Sequence, residues 1–167
     1  KCVYVPYPLP TIGKVESGLV TYSDYKVSEA SRIALPESFK WPVKTCNLKR
    51  CMLETRIPIK GSDKELVLIN FHLEAYDSGE GKIAQRKVLV KKLKEEYEKG
   101  NYVICGGDFN KDLLRDSGSI FGVSGDDYSW AQPFPYDSVP EGFNVIAPYN
   151  EDNPVASCRN ADKPWDP

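Results

Sequence analysis

The chain has 167 residues and a formal net charge of −2, long enough for a domain with its own core but lacking the basic excess of a dedicated nucleic-acid binder. Apolar residues make up 41% and charged residues 28%, as in ordinary globular proteins. No apolar run approaches the roughly 18–20 residues that would span a bilayer, so no transmembrane segment is expected.

The first recognisable stretch is "SGLVTYSDYKV" (17–27), which reads as a strand and a turn after a mixed Pro, Gly and aromatic opening at 1–16. "RCMLETRIPI" (50–59) alternates as a strand does, with Pro58 near its end. A polar turn, "GSDKE" (61–65), leads into "LVLINFHL" (66–73), apolar enough for a strand buried on both faces. Residues 80–99 carry the clearest helical signal, with Ile83, Val90, Leu93 and Tyr97 expected on the buried face. Asp77 with Glu80 suits its start, a Glu95–Lys99 pair its surface, and Gly100 its end. "NYVICGG" (101–107) then reads as a second buried strand. Strand, helix and strand within about 40 residues fit a parallel βαβ unit. From 111 onward the chain reads as long loops, with "GFNVIA" (142–147) as one short strand.

The βαβ unit sets two strand ends side by side. Asn70 and His72 are two residues apart and share a face. Asp108 and Asn110 follow the second strand at the same spacing, behind Gly106 and Gly107. Ligands of open α/β sheets gather at the carboxyl ends of strands. A carboxylate there can orient water or hold a hard cation such as Mg²⁺, and amide or imidazole donors can meet phosphate oxygens as charge develops. Plainer readings compete: Asp108 and Asn110 as a turn pair, and His72 as a satisfied core histidine. The five cysteines form no Cys-x-x-Cys pair, and with one histidine they make no familiar zinc site. They are expected to be structural or incidental thiols.

"INFHLEAYDSGEGKIAQRKVLVKKL" (69–93) followed by "GNYVICGGDFN" (100–110) resembles the endonuclease/exonuclease/phosphatase superfamily, the DNase I-like proteins. Residues 17–27 are similar to an upstream strand and turn of that family, and "SCRNADKPWD" (157–166) to a segment before its last strands. The resemblance implies an α/β fold, a DNase I-like four-layered α/β sandwich, with 1–167 forming a single partial domain truncated at both ends. It implies a phosphoesterase dependent on Mg²⁺ or Mn²⁺, acting on nucleic acid, a phospholipid or a small phosphate ester. By position, Asp108 would activate the attacking water and touch the metal. Asn110 would contact the scissile phosphate and help place the water, and His72 would donate to a phosphate oxygen. Asn70 and Arg159 are the weaker substrate-side assignments.

Departures from the family pattern shape a further expectation. No segment matches the early-strand glutamate that is the family's principal metal ligand, or its closing Ser-Asp-His-like motif. Lys82 stands where many members have Arg ahead of Gln85. The chain is therefore expected to hold an incomplete metal site and to hydrolyse phosphoesters poorly by itself. The competing reading is a non-catalytic binding or scaffold member of the same fold.

Overall fold

The computed structural model describes residues 2–3, 17–43, 47–75, 79–122 and 132–155. Two compact units divide at Asn110 and Lys111. In the first, strands β1 (Cys2–Val3) and β2 (Gly18–Leu19) form a short antiparallel pair. The main sheet has the order β3 (Glu29–Ala34), β4 (Cys51–Pro58), β5 (Glu65–His72), β6 (Tyr102–Asp108). Its first three strands pair antiparallel, while β5 and β6 run parallel and are joined by helix α1 (Glu80–Glu98). The expected βαβ unit is thus present. Strand β3 carried no signal read from the sequence.

Strand register assigns the faces. Met52, Glu54 and Arg56 of β4 pair with Phe71, Ile69 and Val67 of β5, so these six share one face. Helix α1 lies on it, because Lys92 and Glu96 reach Glu54 and Arg56. Val67, Ile69 and Phe71 are almost fully buried there with Leu89 and Leu93. Each such side chain contributes roughly 1.5–3 kcal/mol. The opposite face carries Leu53, Asn70 and His72. Leu19, Cys51 and Leu53 form a small core there, with Leu48 against it.

The helix bounds agree with the expected 80–99, but its buried stripe does not. Gly81, Gln85, Leu89, Leu93 and Glu96 face inward, whereas Ile83 and Tyr97 are exposed. Only Leu93 of the expected face is fully buried. Apolarity misplaces the stripe because two of its members, Gln85 and Glu96, are polar residues satisfied inside. Gly79 occupies the N-cap position with φ 108°, and Asp77 lies outside the described residues. The expected C-terminal stop is present. Gly100 has φ 79°, and its N–H donates to the Tyr97 carbonyl while that of Asn101 donates to Glu96, the Schellman arrangement. Lys99 reaches Glu96 instead of Glu95, which pairs with Lys91.

Strand β6 differs from the buried strand expected. It is the edge of the described sheet, with Tyr102 64% and Ile104 59% exposed. Val103 and Cys105, on the helix face, are half-buried. An apolar sequence cannot tell an edge strand from a central one.

In the second unit, helix α2 (Ser117–Ile120) and a 3₁₀ turn at Tyr136–Ser138 are short. Asp112 is buried and accepts the N–H groups of Leu114, Arg115 and Ser117, which closes the turn before α2. Phe134 is buried, edge-on to Tyr136. Residues 142–147 form no strand. Pro140 and Pro148 bracket them, no described strand pairs with them, and Ile146 is 85% exposed. The loop character expected of this half is otherwise present in the described residues.

Glu96 ends the helix inside a polar cluster. Its Oε1 accepts from Arg56, Lys92 and Lys99 at 2.8–2.9 Å, and its Oε2 from Asn101 at 2.8 Å. Asn101 also accepts the Glu65 N–H at 3.1 Å, so the helix end is tied to the start of β5. Burial alone would push the Glu96 carboxyl up, but the combined hydrogen bonds outweigh it and hold the group well below its ordinary 4.5. Removing one member of such a cluster leaves buried charges uncompensated. Glu96→Gln is expected to lower stability by about 3 kcal/mol at neutral pH, read from urea unfolding. A depressed carboxyl stabilises the fold above its unfolded value and loses that contribution as pH falls toward the folded one. The gap between wild type and Glu96→Gln should therefore narrow steadily below about pH 4.5; a gap independent of pH would contradict the cluster's role.

Candidate functional site

Parallel pairing of β5 and β6 sets His72 opposite Asp108 and Asn70 opposite Gly106. The pair is extended one step further, where the Leu73 N–H donates to the Asp108 carbonyl at 2.9 Å. This register needs a glycine at 107. A Cβ there would run into the backbone carbonyl of Phe71, the residue paired with it. Phe109 then folds back edge-on to the Phe71 ring, with centroids 4.6 Å apart. The turn after β6 is thereby anchored on the residue before His72.

Asn110 has φ 48°, a left-handed conformation that asparagine tolerates better than most residues. Its N–H donates to Asp108 Oδ1 at 2.7 Å, and its Nδ2 donates to the Leu73 carbonyl at 2.8 Å. The Asx-type turn suggested as the plainer reading of Asp108 and Asn110 is real, yet it also has a chemical consequence. With Nδ2 turned to Leu73, the Asn110 Oδ1 is left as an acceptor with no partner among the described residues, able to receive a hydrogen from water.

His72 Nε2 stands 3.6 Å from Asp108 Oδ2, beyond a direct hydrogen bond. The two side chains are 37% and 58% exposed, so His72 is not the buried core histidine of the competing reading. Burial and the positive charge of Arg50 lower the His72 pKa from 6.5, outweighing the opposite pull of Asp108 and Glu74. At neutral pH the imidazole is therefore mostly uncharged, and its contact with Asp108 is not an ion pair. The arrangement joins a solvent-facing carboxylate, a neutral imidazole and an oriented amide at adjoining strand ends.

Of the residues singled out from sequence, His72, Asp108 and Asn110 come together. Asn70 lies two pairing positions inward on the same face as His72, and its Nδ2 donates to the Val20 carbonyl at 3.0 Å. Arg159 lies outside the described residues. Four residues beneath the site, Glu74, Arg50, Asn47 and Gln85, were not read from sequence as contributors to it. Glu74 is fully buried, with Arg50 3.8 Å away and Asn47 donating to it at 2.8 Å. Gln85 is buried against the same segment and accepts the Glu74 N–H at 2.9 Å. The signal for Gln85 was its i, i+4, i+8 spacing with Leu89 and Leu93, hidden by its polarity. Of the cysteines, Cys51 is buried and burial pushes the half-buried Cys105 thiol up, which suits structural thiols and not nucleophiles.

A hard cation needs several oxygen ligands, some of them from water or substrate. Asp108 offers one open carboxylate. Among the described residues no three His, Cys, Asp or Glu side chains gather as a metal site. The described donors therefore do not complete a resident site.

No family model and no curated protein matches this chain. Among solved structures, it is similar to the human Nocturnin catalytic domain with bound sulfate anion, at 20% identity and a TM-score of 0.39. The match covers 66% of this chain, which spans only 43% of that one. No described helix is long and apolar enough to cross a membrane.

Two outcomes test this geometry. Gly107→Ala should abolish or severely weaken folding, by more than about 3 kcal/mol, because the added methyl meets backbone and not a movable side chain; a near-native unfolding midpoint would show that the register is not as described. In an NMR titration His72 should have a pKa below 6.5. Asp108→Asn should lower it further, since the carboxylate favours the charged imidazole.

Proposed function

We propose that this chain is part of a metal-dependent phosphoesterase that hydrolyses a phosphodiester or phosphomonoester by attack of water. The observation that carries the reading is the meeting of His72, Asp108 and Asn110 at the carboxyl ends of two parallel strands, around a backbone that only Gly107 permits. The resemblance of residues 69–93 and 100–110 to the DNase I-like superfamily supports it, as does the α/β sheet that holds them.

In this reading Asp108 accepts a proton from, or orients, the attacking water. Asn110 presents Oδ1 to the same water and keeps its second amide hydrogen for a phosphate oxygen. Neutral His72 donates to a non-bridging oxygen as negative charge grows, an interaction strongest in the transition state. Asn70, tied to Val20, supports this face, and Arg159 is proposed as a further phosphate contact. Mg²⁺ or Mn²⁺ is the proposed cofactor. Asp108 would supply one oxygen to it, and the remaining ligands would come from outside the described residues. The substrate class is a nucleic acid, a phospholipid or a small phosphate ester.

The test is hydrolysis of bis(p-nitrophenyl) phosphate, DNA, inositol phosphates and sphingomyelin, with Mg²⁺ or Mn²⁺, by a protein carrying the complete domain. Asp108→Ala should abolish turnover. His72→Ala and Asn110→Ala should each lower kcat roughly 10²- to 10³-fold. The 167-residue chain alone should turn over poorly. Full metal-dependent activity in Asp108→Ala, or none in wild type toward any of these esters, would sink the reading.

A further inference from the structure

We propose that Gln85, on the buried face of α1, is the positioning residue for the Asn110 amide. This rests on the phosphoesterase reading only for its effect on turnover; the structural link stands apart from it. The Leu73 carbonyl and the Glu74 N–H belong to one peptide group, which is planar and rigid. Asn110 Nδ2 donates to that carbonyl at 2.8 Å, and the N–H donates to Gln85 Oε1 at 2.9 Å. One plane is thus held from opposite edges, by the helix on one side and by the site residue on the other.

The Gln85 amide cannot turn around to undo this. Its Nε2 donates to the Pro36 carbonyl at 2.9 Å and to Ser38 Oγ at 3.1 Å. If the amide flipped, the Pro36 carbonyl would face an oxygen and the Glu74 N–H would face an NH₂ group, while the Ser38 hydroxyl can donate or accept and follows either orientation. Gln85 is 1% exposed, so water does not substitute for these partners. The donor–acceptor order therefore runs without a free choice from Pro36, through Gln85 and the Leu73–Glu74 peptide, to Asn110. At its end Asn110 Oδ1 has no partner among the described residues. The leucine and glutamate side chains need take no part, which makes Gln85 a specific requirement where a general helix-packing role would accept any side chain of similar volume.

The experiment uses the side-chain amide signals of Asn110 in ¹⁵N-labelled protein, assigned by their loss in Asn110→Asp. In Gln85→Leu, which keeps the volume and removes the acceptor, the Leu73-bound Asn110 hydrogen should shift upfield and exchange with water at least tenfold faster. The signals of Asn101, at the far end of α1, should not move. Gln85→Glu keeps an acceptor for the Glu74 N–H and should retain more of the wild-type Asn110 signature than Gln85→Leu. In a catalytically competent protein, Gln85→Leu should lower kcat roughly ten- to a hundredfold with KM little changed. If Gln85→Leu does not fold, wild type decides: hydrogen-bond scalar coupling between the Glu74 N–H and the Gln85 side-chain carbonyl, and between Asn110 Nδ2 and the Leu73 carbonyl, should both be present. Unchanged Asn110 signals in folded Gln85→Leu, or absence of either coupling in wild type, would overturn the proposal. Failure of every phosphoester to react would overturn the hydrolytic reading and leave the amide measurements to decide this one.

Discussion

The parallel pairing of β5 with β6 carries the candidate site, and it depends on the missing side chain at Gly107. The Phe71 carbonyl occupies the space a Cβ would take. With that approach allowed, His72 falls opposite Asp108, the Leu73 N–H reaches the Asp108 carbonyl, and Phe109 packs edge-on to Phe71. A shift of one residue would send His72 and Asp108 to opposite faces, since strand side chains alternate. The close backbone approach is therefore also the source of the site's chemistry.

Helix α1 keeps that register by being tied at both ends with polar groups. Toward its start, Gln85 holds the peptide that follows β5 and the segment at Pro36 and Ser38. At its finish, Glu96 gathers Arg56, Lys92, Lys99 and Asn101. Leucines between them supply burial, but burial is indifferent to small slides along the helix axis. Directional hydrogen bonds are not. A buried amide or carboxylate displaced from its partners carries the full desolvation cost, so these two residues fix where the helix is seated on the sheet.

Much of this was legible beforehand. Alternation in "RCMLETRIPI" and the apolar run "LVLINFHL" marked β4 and β5, and Gly100 marked the helix end. The strand–helix–strand pattern sets the ends of β5 and β6 side by side, and the two-residue spacing of Asn70 and His72 puts them on one face. Not every inward-facing residue is apolar: Gln85 and Glu96 are buried and polar. Apolar periodicity alone places Ile83 and Tyr97 inside, where Gln85 and Glu96 belong, and reads β6 as buried though Tyr102 and Ile104 are exposed. The same apolar pattern suggests a strand at 142–147, where Ile146 is exposed among the described residues.

Sequence alone determined the local terms: which segments extend, where the helix ends, and which side chains with usable chemistry follow which strand. These depend on neighbours within a few residues, through side-chain period and backbone preference. Tertiary structure decided the rest. Only the pairing of distant backbones makes Gly107 indispensable, turns the Asn110 amide toward Leu73, and lets Arg50 and burial draw the His72 pKa down. Those effects arise from groups far apart in the chain, and no local pattern of residues encodes their distances.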